Sequence, residues 1–512
     1  IIFTNKSLSN NTNDYYPGEY FYIYSENNNT VFMISNKYDF KLESTLSLLR
    51  ILFIILVIYV LCLRLNNDLS VFIFKPLNDI YKVVDKISKD PVNSKTVLEL
   101  KKGYVHIGNE AESAGYEMRV ILSAIIRISA LIAIGFGEAG GAILKTNLSS
   151  SEGLNPMLSG KKMVAVFGFC FIHDFSTINE IFQEKTMIFV NQISDIVHSC
   201  VDKFNGHTNK NIGDCYLLAW KFKNNKIQGD NSTSRNKTNL AIKTRIEETS
   251  EIADCALIAF LNIIKKLNKS RIILAYRKDP DIIKKLGSKY SVQLGFGLHY
   301  GWGIEGAIGS YFKIDCSYLS PNVNIAARLE TATNIYGVDI LFSGEFYELL
   351  SDYLKSKCRK IDVVKLKGSD KPTDLYTVDL NKNIKPGKLS SKKDRMTLRE
   401  RRDYYGLKKR KLWKKYQNCK DKKTIGEIYF KESKGFRQLL RNNKSELFYK
   451  YFEEGFLNYI EGDWEDANQN LSKALYLDKN DGPTRTILEY IKKLKLQPPE
   501  GWEGCRQLKS KT

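Results

Sequence analysis

The sequence contains nine cysteines but no C-x-x-C pair and no Cys/His cluster at zinc spacing. Zinc fingers, zinc ribbons and thioredoxin-type redox pairs are thereby excluded. Cys170, Cys215 and Cys316 fall in predicted strands or at their ends, and read as small buried hydrophobes of a reducing compartment. Acidic residues are in deficit: 57 Asp and Glu stand against 78 Lys and Arg, a net charge of +21. Such a balance favours an acidic partner (anionic lipid, nucleotide or nucleic acid) or else a Lys-rich solvated surface. Much of the excess lies between Lys382 and Lys450. That stretch lacks the regular aromatic interleaving of base-stacking platforms, so nucleic acid is not an expected partner. Long apolar runs are also scarce, and one segment alone approaches membrane-spanning length. The chain opens on Ile1 rather than Met, which reads as a start inside a longer protein.

Six segments follow from composition and periodicity. Residues 1–43 are polar and Asn-rich, with N-x-S/T sequons at Asn5, Asn10 and Asn28, as suits a lumenal or extracellular segment. Residues 44–65 form the candidate transmembrane helix. The wholly apolar run from Ile51 to Leu63 is short, but Leu46 to Leu49 extend it to the roughly 18–20 residues a bilayer requires, with Arg50 able to snorkel. The alternative is a buried soluble helix. Arg64, Lys75, Lys82, Lys86 and Lys89 follow the span and orient its C-terminal side to the cytoplasm. An integral membrane protein with cytoplasmic later domains is expected, in a plasma or ciliary membrane. Residues 66–158 read as juxtamembrane connector helices. Pro76 precedes apolar residues at helical spacing (Leu77, Ile80, Val83, Val84, Ile87), resembling the HAMP-like connectors of receptors or an ordinary amphipathic helix. Residues 110–145 read as a further packing helix.

Residues 159–382 alternate strands and helices. The segment MVAVFGFCFI is a buried strand and 180–204 an amphipathic helix. A hairpin turns at Gly213, strands are expected at 292–301 and 337–343, and 322–333 reads as a helix. The polar segment 224–249 reads as a loop insertion. The order suits an α+β fold, a mixed sheet covered by helices. Residues 383–435 read as a basic solvated linker. Residues 436–512 read as a helical tail. Its Gly455, Gly462, Trp464, Ala467, Leu471 and Ala474 match much of one tetratricopeptide-like repeat. A single repeat cannot bury its own face, so it is expected to dock on the chain or on a protein partner.

Two motifs carry the chemistry: NKNIGD at 209–214 and SPNVNIAARL at 320–329. With GFGEAGGAIL, LNPMLSGKK and LAYRKDP, they resemble the class III adenylate/guanylate cyclases, in particular membrane-anchored ones of single-celled eukaryotes that end in a tetratricopeptide-like repeat. The resemblance implies a ferredoxin-like core and conversion of ATP to cAMP and pyrophosphate. It makes Asp214 a metal ligand, Lys210 and Ser317 readers of the adenine edge, Asn324 the ribose-orienting residue, Arg328 the transition-state arginine and Lys367 a triphosphate ligand. Asn324 and Arg328 stand at i and i+4, so one helical face presents both. The backbone around Ile172, His173, Asp174, Phe175 and Ser176 would hold the terminal phosphates. The resemblance also implies Mg²⁺ or Mn²⁺ in a two-metal site, and head-to-tail dimers with sites at the interface.

Phe171 departs from the pattern. It occupies the family's other metal-Asp position, in FGFCFIHDFS. A phenyl ring cannot ligate a hard cation, which takes oxygen. Asp174 lies close, but its charge would repel a triphosphate, and His173 reads as a surface residue. The two-metal site is therefore expected to be incomplete in this chain. Two readings result: a subunit that completes a shared site in a heterodimer, or an inactive pseudocyclase serving as scaffold or regulator.

Overall fold

A computed structural model of the chain describes residues 2–3, 20–24, 31–35, 37–89, 120–132, 135, 140, 159–222, 235–288, 290–310, 313–366, 371–381, 398–419, 423–432, 436, 439–440 and 444–508. Asn5, Asn10, Asn28 and Lys367 lie outside the described residues. The chain divides into two units, residues 1–87 with 95–129, and residues 88–94 with 130–512.

In the first unit, β1 (Ile2–Phe3), β2 (Tyr20–Tyr24) and β3 (Val31–Ser35) form an antiparallel sheet with β3 central. Helix α1 (Lys37–Leu69) continues through a π-helical turn at Ser70–Phe74 into α2 (Lys75–Lys89). This is the one stretch among the described residues long and apolar enough to cross a membrane, and its apolar window has no buried part. Leu46 through Leu65 are exposed around the whole helix circumference. A helix apolar on every side is unfavourable in water and suits lipid or an apolar partner. Val83 of α2 packs with Leu122 and Ile126 of α3 (Val120–Ile132), which is the described part of the helix expected over 110–145.

The second unit is built on a mixed sheet in the order β12-β10-β11-β9-β7-β4-β6-β5, with β8 paired to β7. Its strands are β4 (Lys161–Ile172), β5 (His207–Ile212), β6 (Cys215–Lys221), β7 (Leu294–Gly309), β8 (Ile314–Leu319), β9 (Ile340–Ser343), β10 (Cys358–Lys365), β11 (Pro372–Val378) and β12 (Arg506–Gln507). β7–β9 and β10–β12 pair in parallel and the other neighbours antiparallel.

Strand alternation sends the two residue sets of β4 to opposite faces. Val166, Cys170 and Ile172 join the main core with α4 (Phe175–Phe182), α5 (Thr186–Lys203) and α6 (Arg235–Leu267). Ala165 and Phe167 face the other way, toward Val323 and Ala326 of α7 (Pro321–Tyr336). The glycines of LGFGLHYGWG explain how close α7 comes. A Cβ at Gly297 would overlap the Ala326 carbonyl oxygen, and one at Gly301 would overlap Asn322. The glycine stripe thus lets the helix lie directly on the backbone of β7.

Two expectations are corrected. The segment 224–249 is not wholly a loop, because α6 begins at Arg235. Its C-terminal part, from Ala253 to Leu267, is deeply buried, and helix propagates from that anchored part through the Lys, Glu and Ala of the polar part. The basic segment 383–435 is not a solvated tether over its described length. It folds into α8 (Leu398–Gln417) and α9 (Ile425–Glu432), both docked on α5 and α6. Trp413 Nε1 donates to the Lys203 carbonyl at 3.2 Å, the Tyr416 hydroxyl to Glu251 at 2.9 Å, and the Tyr429 hydroxyl to Asn262 at 3.1 Å. Ile425, Ile428 and Phe430 are buried. Apolar positions at helical spacing decide the docking, although lysine and arginine dominate the composition.

The tail forms α10 (Glu446–Glu461), α11 (Trp464–Leu477) and α12 (Gly482–Lys493) around Phe448, Phe452, Tyr459, Trp464 and Leu471. It is tied to β10 by a buried network. Arg359 Nη2 donates to Asp481 at 2.7 Å and to Asp379 at 2.8 Å, and Lys444 also pairs with Asp481.

One buried acid predicts a pH dependence. Asp254 on α6 accepts from the Ser351 amide at 3.0 Å and the Ser351 hydroxyl at 2.7 Å. Burial is the largest influence and pushes its pKa up to about 7 from an ordinary 3.8. The folded state thus holds a proton that the unfolded chain releases at lower pH. The contribution is complete below the unfolded value and is lost as pH rises through about 7. In an Asp254→Asn variant the loss of stability between pH 5 and 8 should shrink by on the order of 2–3 kcal/mol, read by urea unfolding. Parallel pH profiles for the two proteins would contradict this.

Candidate functional site

The end of β4 and the β5–β6 hairpin form one corner of the site. Gly213 takes φ +60° at the hairpin turn, a conformation that glycine adopts without strain. Asp214 follows it, and its carbonyl accepts from the Ile172 amide at 3.1 Å. Phe171 pairs with Cys215 on one side and Gly295 on the other. Position 171 is therefore within one residue of Asp214 in the sheet register. Asp214 is half-buried, and burial raises its pKa. Past the strand, Asp174 takes a left-handed φ of 57°, is exposed, and does not cap α4 with its side chain. His173, expected on the surface, is instead half-buried beside β7. Its Nε2 lies 3.0 Å from where a Cβ on Gly295 would stand.

The second corner is carried by α7. Ser320 caps the helix, accepting from the Asn322 amide at 3.1 Å and donating to the Trp302 carbonyl at 2.6 Å. Asn322 Nδ2 donates to the same carbonyl at 2.9 Å. With its N-terminus held so, α7 turns Val323, Ala326 and Leu329 to the sheet and leaves Asn324 exposed and Arg328 half-exposed on its outer face.

The third corner joins β5 to β8. A bulge between Thr208 and Lys210 shifts the β5 register and re-aims Lys210. Lys210 Nζ donates to Asp315 Oδ2 at 2.9 Å, and that bond is the main cause of the lowered Asp315 pKa. Asn209 Nδ2 donates to the Cys316 carbonyl at 3.3 Å. Ser317 lies two residues beyond Asp315 on β8, hence on the same strand face.

Two acids here were missed in the sequence reading. Asp315 is the carboxylate that meets Lys210, and the alternation of I-D-C-S along a strand could have signalled it. Glu330 is buried, and its Oε1 has no hydrogen-bond partner among the described residues. Burial first, and then the Asp214 carboxylate, push its pKa up to about 7. Its place two residues after Arg328 gave no signal of burial.

The donor set does not fit a two-metal centre within this chain alone. Asp214 stands at the hairpin turn with the Glu330 carboxylate enclosed near it and Asp174 exposed past β4, Phe171 offers no ligand atom, and no group of three metal-binding side chains occurs among the described residues.

Residues 159–379 match the adenylate and guanylate cyclase catalytic domain family. Residues 36–149 match the all-helical domain of RasGEFs. The chain is 22% identical over 303 residues to an adenylate cyclase of Anabaena cylindrica, covering 55% of this chain and 52% of that protein. It is 31% identical over 83 residues to adenylate cyclase 1 of Rhizobium meliloti (strain 1021), covering 16% and 12%. The chain thus spans about half the length of the first relative and less of the second. Among solved structures, a bacterial light-regulated adenylyl cyclase aligns at 20% identity with a TM-score of 0.37, over 51% of this chain and 64% of that one. The guanylyl cyclase Cya2 aligns at 17% identity with a TM-score of 0.30, over 43% and 94%.

Proposed function

We propose, from the membership of this chain, through residues 159–379, in the class III adenylate/guanylate cyclase family, that it is a membrane-anchored adenylate-cyclase subunit. It supplies the purine and transition-state half of a site shared with a second cyclase domain. The observation that carries this reading is an asymmetry. Asn324, Arg328 and the Lys210–Asp315 pair lie on exposed or half-exposed surfaces, while Phe171, which offers no ligand atom, stands beside Asp214.

In such a site the ribose 3′-oxygen attacks the α-phosphorus, its proton passes to water, and pyrophosphate leaves as the bond between the α-phosphorus and the bridging oxygen breaks. Metals, when bound, supply charge neutralisation for the triphosphate, and a partner domain with both carboxylates would hold them. The roles of this chain are separate from that. Lys210, steadied by Asp315, donates to the adenine ring, and the Ser317 hydroxyl accepts from the amino group. Asn324 orients the ribose. Arg328 faces the charge that develops during attack, where a fixed cation acts most strongly. In the chain's own metal half, the amides opening α4 suit phosphate oxygens. Lys367 belongs to the same proposal as a triphosphate ligand.

The lipid-compatible α1 and the basic residues after it support anchoring with the cyclase domain on the cytoplasmic side. A head-to-tail pairing with a metal-competent partner makes a heterodimer the working assembly. The tetratricopeptide-like tail offers a further place for a protein partner.

The reading requires nucleotide binding. The 512-residue chain in detergent should bind ATP more tightly than GTP, and Lys210→Ala should weaken ATP by roughly tenfold, as loss of a charged hydrogen bond does. Titration calorimetry measures both. Absence of ATP binding would favour the alternative, a pseudocyclase acting as scaffold.

A further inference from the structure

The helix that presents Asn324 and Arg328 is anchored at its far end in part by residues outside the stretch 159–379. α7 ends at Tyr336, whose hydroxyl donates to Asp362 Oδ2 at 2.6 Å. Arg506, from β12, donates through Nε to the same oxygen at 2.8 Å and through Nη2 to the Tyr336 hydroxyl at 3.1 Å. Tyr336 and Asp362 are fully buried and Arg506 is 8% exposed. The Thr486 hydroxyl of α12 lies 3.0 Å from the Ile335 carbonyl and 2.9 Å from the Gly482 carbonyl of its own helix, so its one proton is shared between the two. Gly482 opens α12 so close to α7 that a Cβ there would overlap the Tyr336 carbonyl oxygen.

One of these contacts reaches a carbonyl of the last turn of α7, where helix carbonyls otherwise lack partners, and the others fix the Tyr336 side chain. The tail is held independently by the Arg359–Asp379–Asp481–Lys444 network on β10 and by pairing of β12 with β10. It therefore behaves as a fixed abutment for α7. Within α7, Asn324 and Arg328 lie on the same rigid rod as Tyr336, so a shift at one end moves the other. The N-terminal anchor at Ser320 and the glycine stripe of β7 leave the C-terminal turn as the end that the tail sets.

We infer that the C-terminal tail is a positioning element for the ligand-facing helix, with Gly482, Thr486 and Arg506 as positioning residues. This rests on the reading of Asn324 and Arg328 given above. The cyclase domain of this chain then extends functionally to residue 507, and anything that loosens the tail detunes the site without touching it.

Hydrogen exchange and ATP titration on the full chain test this. Gly482→Ala wedges a methyl against α7, and Thr486→Val removes one bond. Both should speed exchange over residues 330–337 about tenfold while β4 and α5 keep wild-type protection. Both should weaken ATP by roughly three- to tenfold. Arg506→Lys keeps the charge and should fall between wild type and Arg506→Met. The two milder variants decide the matter if Arg506→Met does not fold. Wild-type exchange in 330–337 despite loosening of 482–507 would overturn the inference, and so would faster exchange with unchanged ATP affinity. If wild type binds no ATP, the half-site reading fails on its own, and the exchange pattern alone decides whether the tail holds α7.

Discussion

Phe171→Asp gives a chain that forms cAMP from ATP by itself, roughly 10²–10³-fold faster than wild type when Mg²⁺ or Mn²⁺ is supplied. The expectation follows from the register. Position 171 lies in β4 opposite Cys215, and the next residue's amide bonds the Asp214 carbonyl at 3.1 Å. A carboxylate there stands beside Asp214 and offers the hard oxygen that a phenyl ring cannot. The phenyl group is only half-buried, so its removal opens no deep cavity and the fold should survive. Coupled measurement of cAMP over a metal titration reads the result. A folded but silent variant would mean that the remaining site residues do not assemble, and the scaffold reading would stand.

Arg328→Ala, made in that active background, should lower kcat by roughly 10²–10³-fold and leave KM for ATP within a few-fold. Arg328 is half-exposed on α7 and has no ion-pair partner among the described residues. Its removal therefore leaves no buried charge behind, and the loss reads as transition-state stabilisation rather than unfolding. An equal loss in affinity with kcat intact would instead make it a ground-state phosphate ligand. Thermal melts of both proteins separate either outcome from a folding defect.

The sheet and its two faces were legible because strand alternation is a local pattern. MVAVFGFCFI gives β4, and its odd and even positions separate onto α7 and onto the α5–α6 core. The turn at Gly213 and the helix bearing Asn324 and Arg328 were legible for the same reason, through turn chemistry and i, i+4 spacing. What escaped depends on tertiary contacts. α8 has few apolar residues, yet Trp413 and Tyr416 suffice to dock it, and composition alone made it a linker. The N-terminal part of α6 is helical because its C-terminal part is buried. Asp315 gained meaning only when a bulge in β5 brought Lys210 across to it. Glu330 followed a helical motif and gave no sign that its carboxylate would be enclosed near Asp214.

The central claim is that this chain supplies one half of a shared site. Subunit mixing tests it most directly, with wild-type chain and a Phe171→Asp/Arg328→Ala double variant. Wild type brings Arg328 but not the second carboxylate, and the double variant brings both carboxylates but not Arg328. Neither alone should form cAMP at an appreciable rate. A mixture should, because one of the two sites in the mixed dimer then holds every group. A silent mixture of the two folded chains, alongside an active Phe171→Asp single variant, would contradict the shared-site account.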